Sequence, residues 1–136
     1  MSFAAAKADI RAVFQKIQDD WSEYPLVIEL DNRVAVDQAT QQLPYLMAQI
    51  VPLRGHQAEL GSDPLTEQRG QILLSACQRA GTGTTEATTL LEFAARYFHI
   101  QDLQLVRCDA AEAVRGKTVN GWWHEPAIIN FRYYWK

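Results

Sequence analysis

With 136 residues, 48% of them hydrophobic and 21% charged, the chain has the composition of one soluble globular domain able to bury a core, and residues 1–136 are read as a single domain. A formal net charge of −3 supplies no general basic field, which disfavours phosphate-driven nucleic-acid binding, and no sequence-specific nucleic-acid partner is expected. No apolar run approaches the roughly 20 residues of a bilayer span, and the opening Met1-Ser2-Phe3-Ala4-Ala5-Ala6-Lys7 lacks the basic-then-apolar order of a secretion signal, so no membrane partner and a cytoplasmic location are expected.

Phe3, Ile10, Val13, Phe14, Ile17 and Trp21 recur at three- and four-residue steps, the spacing of one helical stripe, with Lys7, Arg11, Lys16, Asp19 and Asp20 off it. A helix is therefore predicted from residue 3 to about 22. Tyr24-Pro25 stops it, because the residue before proline is pushed out of the helical region. Leu26 to Leu30 then reads as a short strand and Asp31-Asn32 as a turn.

The stretch 34–42 is polar and low in pattern. After it, Leu43 to Leu53 predicts a second strand, apolar on both faces and hence central, with Pro44 and Pro52 near its ends, where a missing N–H does the ladder least harm. Residues 54–68 turn polar, with Gly55, Gly61 and Pro64 as breakers, and predict a long hairpin loop of the kind that is usually functional. Residues 69–79 predict a third strand, antiparallel to the second, with Ile72, Leu74 and Ala76 facing the core.

Ala80 to Glu86 reads as a loop delivering a second helix, its threonine hydroxyls available as caps and Glu86 in the first turn. Leu90, Leu91, Ala94, Tyr97 and Phe98 mark that helix's apolar stripe. Residues 100–108 predict a fourth strand, 109–117 an exposed linker, and Val119 onward a turn into the last strand. There, Ala127, Ile129, Phe131, Tyr133 and Trp135 alternate with Ile128, Asn130, Arg132 and Tyr134, the period of a strand with one buried face. A terminal strand of this kind is expected to be clamped in a sheet and to leave no tail for targeting. The elements together predict an α+β fold: a two-layer sandwich with a mostly antiparallel sheet, two main helices packed on one face and the other face open.

Little in the sequence anchors catalysis. Gly81-Thr82-Gly83-Thr84-Thr85 precedes a helix, but it lacks the lysine of a phosphate loop and the full spacing of a dinucleotide fingerprint, so a plain turn is the better reading. His56, His99 and His124 share no metal spacing, and the adjacent His124 and Glu125 point to opposite faces of a strand. Cys77 and Cys108 lie far apart in apolar segments and read as buried free thiols. The aromatic pair Trp122-Trp123 and the cluster Tyr133-Tyr134-Trp135, with Arg132 beside it, could stack on single-stranded bases, but strand aromatics more commonly serve the core and cross-strand pairs. No enzyme, metal or cofactor is expected.

The order of motifs nevertheless resembles that of the small tail-terminator proteins of long-tailed bacteriophages, the lambda-type group. The likeness rests on the opening helix ending in Trp21 followed by Tyr24-Pro25, the strand Tyr45 to Leu53, Arg69-x-x-x-Leu73 leading into Gly81-x-Gly83, the helix Glu86 to Phe98, and the closing Gly121-Trp122 with Phe131-Arg132-Tyr133-Tyr134. Residues 33–42 depart from it, with no matching aromatic or proline pattern.

The resemblance implies a structural role in the virion tail, assembled in the host cytoplasm: a homohexameric ring on the head-proximal end of the tail tube that stops polymerisation and faces the head–tail connector protein. Its partners would be itself, the tube protein and the connector, with a monomer in solution until the tube end templates the ring. The residues expected at the subunit or tube interface are Arg54, Glu59, Asp63 and Arg69 around the hairpin loop, and Arg132 and Tyr134 on the terminal strand. A module using the open sheet face to bind a small ligand or peptide, and a neighbouring head–tail joining protein, are the alternatives.

Overall fold

The computed structural model describes residues 3–31, 33–57 and 66–135, with the backbone alone for 54–57 and 135. The elements run α1 (Phe3–Asp20), β1 (Ile28–Leu30), β2 (Tyr45–Gln57), β3 (Thr66–Arg79), α2 (Thr85–Ala95), β4 (Arg107–Ala113), β5 (Lys117–Val119) and β6 (Trp122–Trp135). The strands form one sheet in the order β1-β2-β3-β6-β4, with β5 also pairing β6. Every pairing is antiparallel except β1 with β2. This is the α+β fold that the alternating and helical periods predict.

Helix α1 forms over an alanine-rich segment of high helix propensity and buries Ala6, Ile10, Phe14 and Ile17 along one stripe. Those side chains meet Ala87, Leu90, Leu91 and Ala94 of α2 and the inward residues of the sheet. Register explains which sheet residues face inward. Leu46 lies beside Ala76, Leu74 lies between Ala48 and Ala127, and Ile72 between Ile50 and Ile129, and all are buried. Both helices therefore cover the same sheet face. Gly70 sits where Phe131 crosses the sheet: a Cβ built there would lie 2.2 Å from Phe131 Cζ and 2.8 Å from the Val51 carbonyl oxygen, so only hydrogen fits.

Several boundaries differ from those read in the sequence, each for an identifiable reason. The long loop expected over 54–68 is paired strand at both ends, residues 54–57 in β2 and 66–68 in β3, and only 58–65 lie outside the described residues. A register shift between Leu53 and His56 lets the polar Arg54-Gly55 pass within the strand, and such a bulge hides the period-2 pattern. Pro52 consequently stands inside β2, not at its end. The backbone groups of Leu46, Ala48 and Ile50 turn toward β1 and Asp31, so by alternation the nitrogen of Pro52 lies on the outer edge, beyond the reach of β1.

The fourth strand lies at Arg107–Ala113 and not at 100–108, and the linker expected over 109–117 is partly strand. Leu103 and Val106, which suggested strand, pack on the core from a turn, while the alanines of β4 carry little pattern. A further short strand, β5, joins β6 through Asn120 and Gly121, both with positive φ (52° and 80°). The turn expected from Val119 onward is thus a tight two-residue hairpin, whose strand β5 the sequence reading did not include. Pro126 accepts from the Val114 N–H at the point where the neighbour of β6 changes from β5 to β4, so its missing donor costs the ladder little.

The threonine cap expected for the second helix is also absent: Thr84 makes no side-chain capping bond. Gln78, buried on the inward face at the end of β3, takes that task by accepting from the Ala87 N–H at 2.9 Å, and its amide donates to Thr82 Oγ1.

Candidate functional site: the outward sheet face

The outward face is built by the alternate residues of β2, β3 and β6, and register arranges them in rows across the three strands. Tyr45, Cys77 and His124 form the first row; Met47, Ser75 and Pro126 the second; Gln49, Leu73 and Ile128 the third. Val51, Gln71 and Asn130 follow, the last two joined by a 3.0 Å amide hydrogen bond. Leu53, Arg69 and Arg132 complete the series, with Arg107 of β4 beside Arg132. The face thus changes from aromatic to aliphatic to amide to charged along the strands.

The aromatic end is not open. Residues 33–44, the patternless stretch 34–42 together with Leu43 and Pro44 that were expected to open the second strand, fold over it and bury Val36 against Tyr45, Cys77 and Trp122 in a second small core. Tyr45 and Trp122 meet edge to face at 5.1 Å. Two polar side chains hold the segment. Glu29 Oε2 accepts from the Ala35 and Val36 N–H groups at 2.9 and 3.0 Å. Arg79 lies 4.7 Å over the Trp122 ring and donates to the carbonyls of Gln38 and Gln41 at 2.9 and 2.7 Å. Burial pushes the Cys77 and Cys108 thiols up to about 12, so both are protonated and poor nucleophiles at neutral pH. Cys77 Sγ lies 3.4 Å from His124 Nδ1, and burial, then the cation of Lys117 on β5, holds that imidazole below the usual histidine range.

Beyond the covered end, the aliphatic rows floor a concavity of about 520 Å³. Met47, Leu73, Pro126 and Ile128 line it, Arg33 and Val34 stand on one side, and Val114 and His124 on the other. Val34 is 85% exposed and Val114 41%.

At the charged end, Arg69 pairs with Glu67 at 2.9 Å, and Arg132 reaches Asp109 at 3.2 Å and Glu67 at 4.0 Å. Tyr134 lies across from Glu67. The expected interface residues Arg69, Arg132 and Tyr134 are therefore brought together on one face. Arg54 belongs to β2 by its backbone, its side chain lies outside the described residues, and so do Glu59 and Asp63 entirely. The aliphatic floor and the covering segment escaped the sequence reading; Leu73 and Ile128 alternate with core residues, and that alternation was the available signal.

Among the described residues, no group of three or more His, Cys, Asp or Glu side chains is placed to hold a metal ion, and no helix is long and apolar enough to cross a membrane. His99, by contrast with a ligand role, accepts from the Ala111 N–H through Nδ1.

No protein-family model matches the sequence, and no curated protein does. A solved structure whose name describes no function matches over 96% of this chain and 96% of its own, with a TM-score of 0.69 and 19% identity. At that identity the match establishes a shared fold, and the fold is common to both chains nearly end to end.

Proposed function

We propose that this chain is a structural subunit of a long bacteriophage tail, a terminator that closes as a ring on the head-proximal end of the tube, stops polymerisation and forms part of the head–tail junction. The supporting observation is the outward sheet face, which ends in an arginine row and carries a half-buried aliphatic floor with no helix over it among the described residues. A surface of this composition suits protein contact. The sequence likeness described above supplies the assembly, and a ring needs two different complementary patches per subunit. No cofactor or chemical step belongs to this reading; the partners are further copies of the chain, the tube protein and the connector protein.

Electron microscopy of tails assembled with and without the protein tests it. Overlong tubes in its absence, and a density ring at the head-proximal end in its presence, are the expected results. Tubes of unchanged length would discard the reading. Attachment to the connector and not to the tube end would instead favour a head–tail joining protein.

The 520 Å³ concavity favours a second reading, a module that takes a small ligand or peptide on the sheet face. Ligand-dependent thermal stabilisation with no tube binding would select it.

A further inference from the structure

The segment 33–44, which covers the aromatic end of the outward face, is attached thinly. Of residues 33–43, Val36 alone is buried, and none belongs to a helix or strand. The turn at the centre closes on itself: Thr40 and Gln41 donate from their N–H groups to the Asp37 carbonyl, and the Ala39 N–H donates to Asp37 Oδ1. What ties this unit to the sheet is polar. Glu29 Oε2 accepts from Ala35 and Val36, Arg79 donates to the carbonyls of Gln38, Ala39 and Gln41, and the Gln38 amide reaches the Tyr45 hydroxyl at 3.5 Å. Each such bond replaces one to water, so its net worth is small.

Beneath the segment, the balance runs the other way. Tyr45, Cys77 and Trp122 are fully shielded from solvent. Yet Trp122 Nε1 has no hydrogen-bond partner among the described residues, and neither has the buried Nε2 of His124, whose ring stands beside Cys77. A buried polar atom without a partner carries the full cost of its lost water, so the closed arrangement is under-satisfied where its cover is weakest. This end also adjoins the concavity. Arg33 and Val34 of the cover, Glu29 that holds it and His124 beneath it all line that space, and Met47 both lines it and packs on the second core.

We infer that residues 33–44 form a lid that opens on its own, without unfolding of the sheet or of the helical layer. Its opening uncovers Tyr45, Cys77 and Trp122 and joins them with Met47, Leu73 and Ile128 into one continuous apolar trough, of which the 520 Å³ concavity is the part left uncovered when the lid is shut. The movement concerns a single chain and stands apart from the terminator reading.

Alkylation of the full-length protein by iodoacetamide, mapped residue by residue by mass spectrometry, measures the opening. The thiolate displaces iodide, so Cys77 under a closed lid is protected twice, by exclusion of the reagent and by its retained proton. Cys108 is buried in the inward core and serves as the internal comparison. Cys77 is expected to react at a rate that low urea hardly changes, because lid opening exposes little surface, while unfolding followed by circular dichroism responds steeply. Arg79→Met, which removes the donors to the lid carbonyls, should speed Cys77 about tenfold, and Val36→Ala about fivefold. Ile72→Val trims the inward core, a loss the open-lid state shares with the closed one. It should therefore speed Cys108 about fivefold and leave Cys77 unchanged. Labelling of Cys77 that rises with urea as steeply as unfolding does, that Ile72→Val speeds as much as it speeds Cys108, or that neither lid variant quickens would each overturn the lid.

Discussion

The two faces of the sheet are made by neighbouring residues and have opposite fates. Ile129 is fully buried beneath the helices, while Ile128, one residue earlier, lies half-buried on the floor of the outward concavity. The same division appears at the end of β3, where two successive long polar side chains each secure a different segment. Gln78 turns inward and caps α2 through the Ala87 N–H; Arg79 turns outward and gathers the carbonyls of Gln38 and Gln41 over Trp122. The inward face is closed by two helices with many apolar contacts. Among the described residues, the outward face is closed at one end, by a short irregular segment held through polar latches. Stability and contact surface are thus divided across a single layer of backbone.

The largest expected effect comes from breaking this asymmetry at one residue pair. Ile129→Ala should cost about 4 kcal/mol, because it opens a cavity among fully packed groups. Ile128→Ala should cost less than about 1 kcal/mol, since the side chain already borders solvent. Chemical denaturation of the two variants measures the contrast. Equal losses would mean that the outward floor is itself packed core and unavailable to a partner.

A smaller effect tests the latch. Arg79→Met keeps much of the aliphatic stem over Trp122 but removes the donors to residues 38 and 41, and should cost about 1.5 kcal/mol. The signature matters more than the size: hydrogen-exchange protection at Thr40 and Gln41, whose N–H groups bond to the Asp37 carbonyl, should fall well before that of β3 and β6. Uniform loss across the sheet would show that the covering segment is one cooperative unit with the inward core.

How much of this the sequence disclosed follows from the same asymmetry. The inward face announced itself through period: Ile72, Leu74 and Ala76, or Ile129, Phe131 and Tyr133, alternate cleanly, and the helical stripes of Ile10, Phe14 and Ile17 and of Leu90, Leu91 and Ala94 follow suit. Alternation assigned the expected interface residues Arg132 and Tyr134 to the outward side, while Arg69, read with the hairpin loop, joins them only through the register of β3 with β6. The covering segment could not be read, since it is held by one valine, by the Glu29 carboxylate binding backbone N–H groups, and by the Arg79 guanidinium from some distance along the chain, none of which leaves a periodic side-chain pattern. The fourth strand was misplaced because a bulge between Cys108 and Ala111 breaks its period. At Asn120-Gly121 only a turn was read, and the short strand before it, all of whose residues are exposed, left no apolar alternation to reveal the hairpin.

Acid sharpens the comparison at the sheet's edge. Burial tends to raise the Asp31 carboxyl, but the Ile50 N–H at 2.9 Å and the cations of Arg11 and Lys7 outweigh it and hold the group below the usual carboxylate range. With the folded-state value depressed, the stabilisation is fully present above the unfolded carboxylate value and is lost as pH falls through the folded one. Asp31→Asn should therefore cost about 1.5 kcal/mol near neutrality and progressively less in acid. Asparagine also tolerates the positive φ of 51° at this position, so the backbone adds no strain of its own. Denaturation from pH 7 to pH 2 measures the difference, and a gap that stays constant would show that Asp31 acts by shape and not by charge.

The smallest effect isolates the inward counterpart of Arg79. Gln78→Ala removes the acceptor from the Ala87 N–H and should destabilise the protein by about 1 kcal/mol, the usual worth of a helix N-cap. Gln78→Glu retains an acceptor and places a negative charge at the positive end of α2, a gain opposed by the cost of burying that charge. The two variants therefore separate geometry from electrostatics. If the bond matters chiefly as a hydrogen bond, the glutamate variant recovers stability as pH falls and its carboxyl takes a proton, since the neutral acid still offers its carbonyl oxygen to the Ala87 N–H. If the helix dipole dominates, that variant is most stable when ionised and weakens in acid. Either way the change should be confined to α2 and the strand beneath it, leaving protection of residues 40 and 41 untouched, because only Arg79 reaches through to the other side.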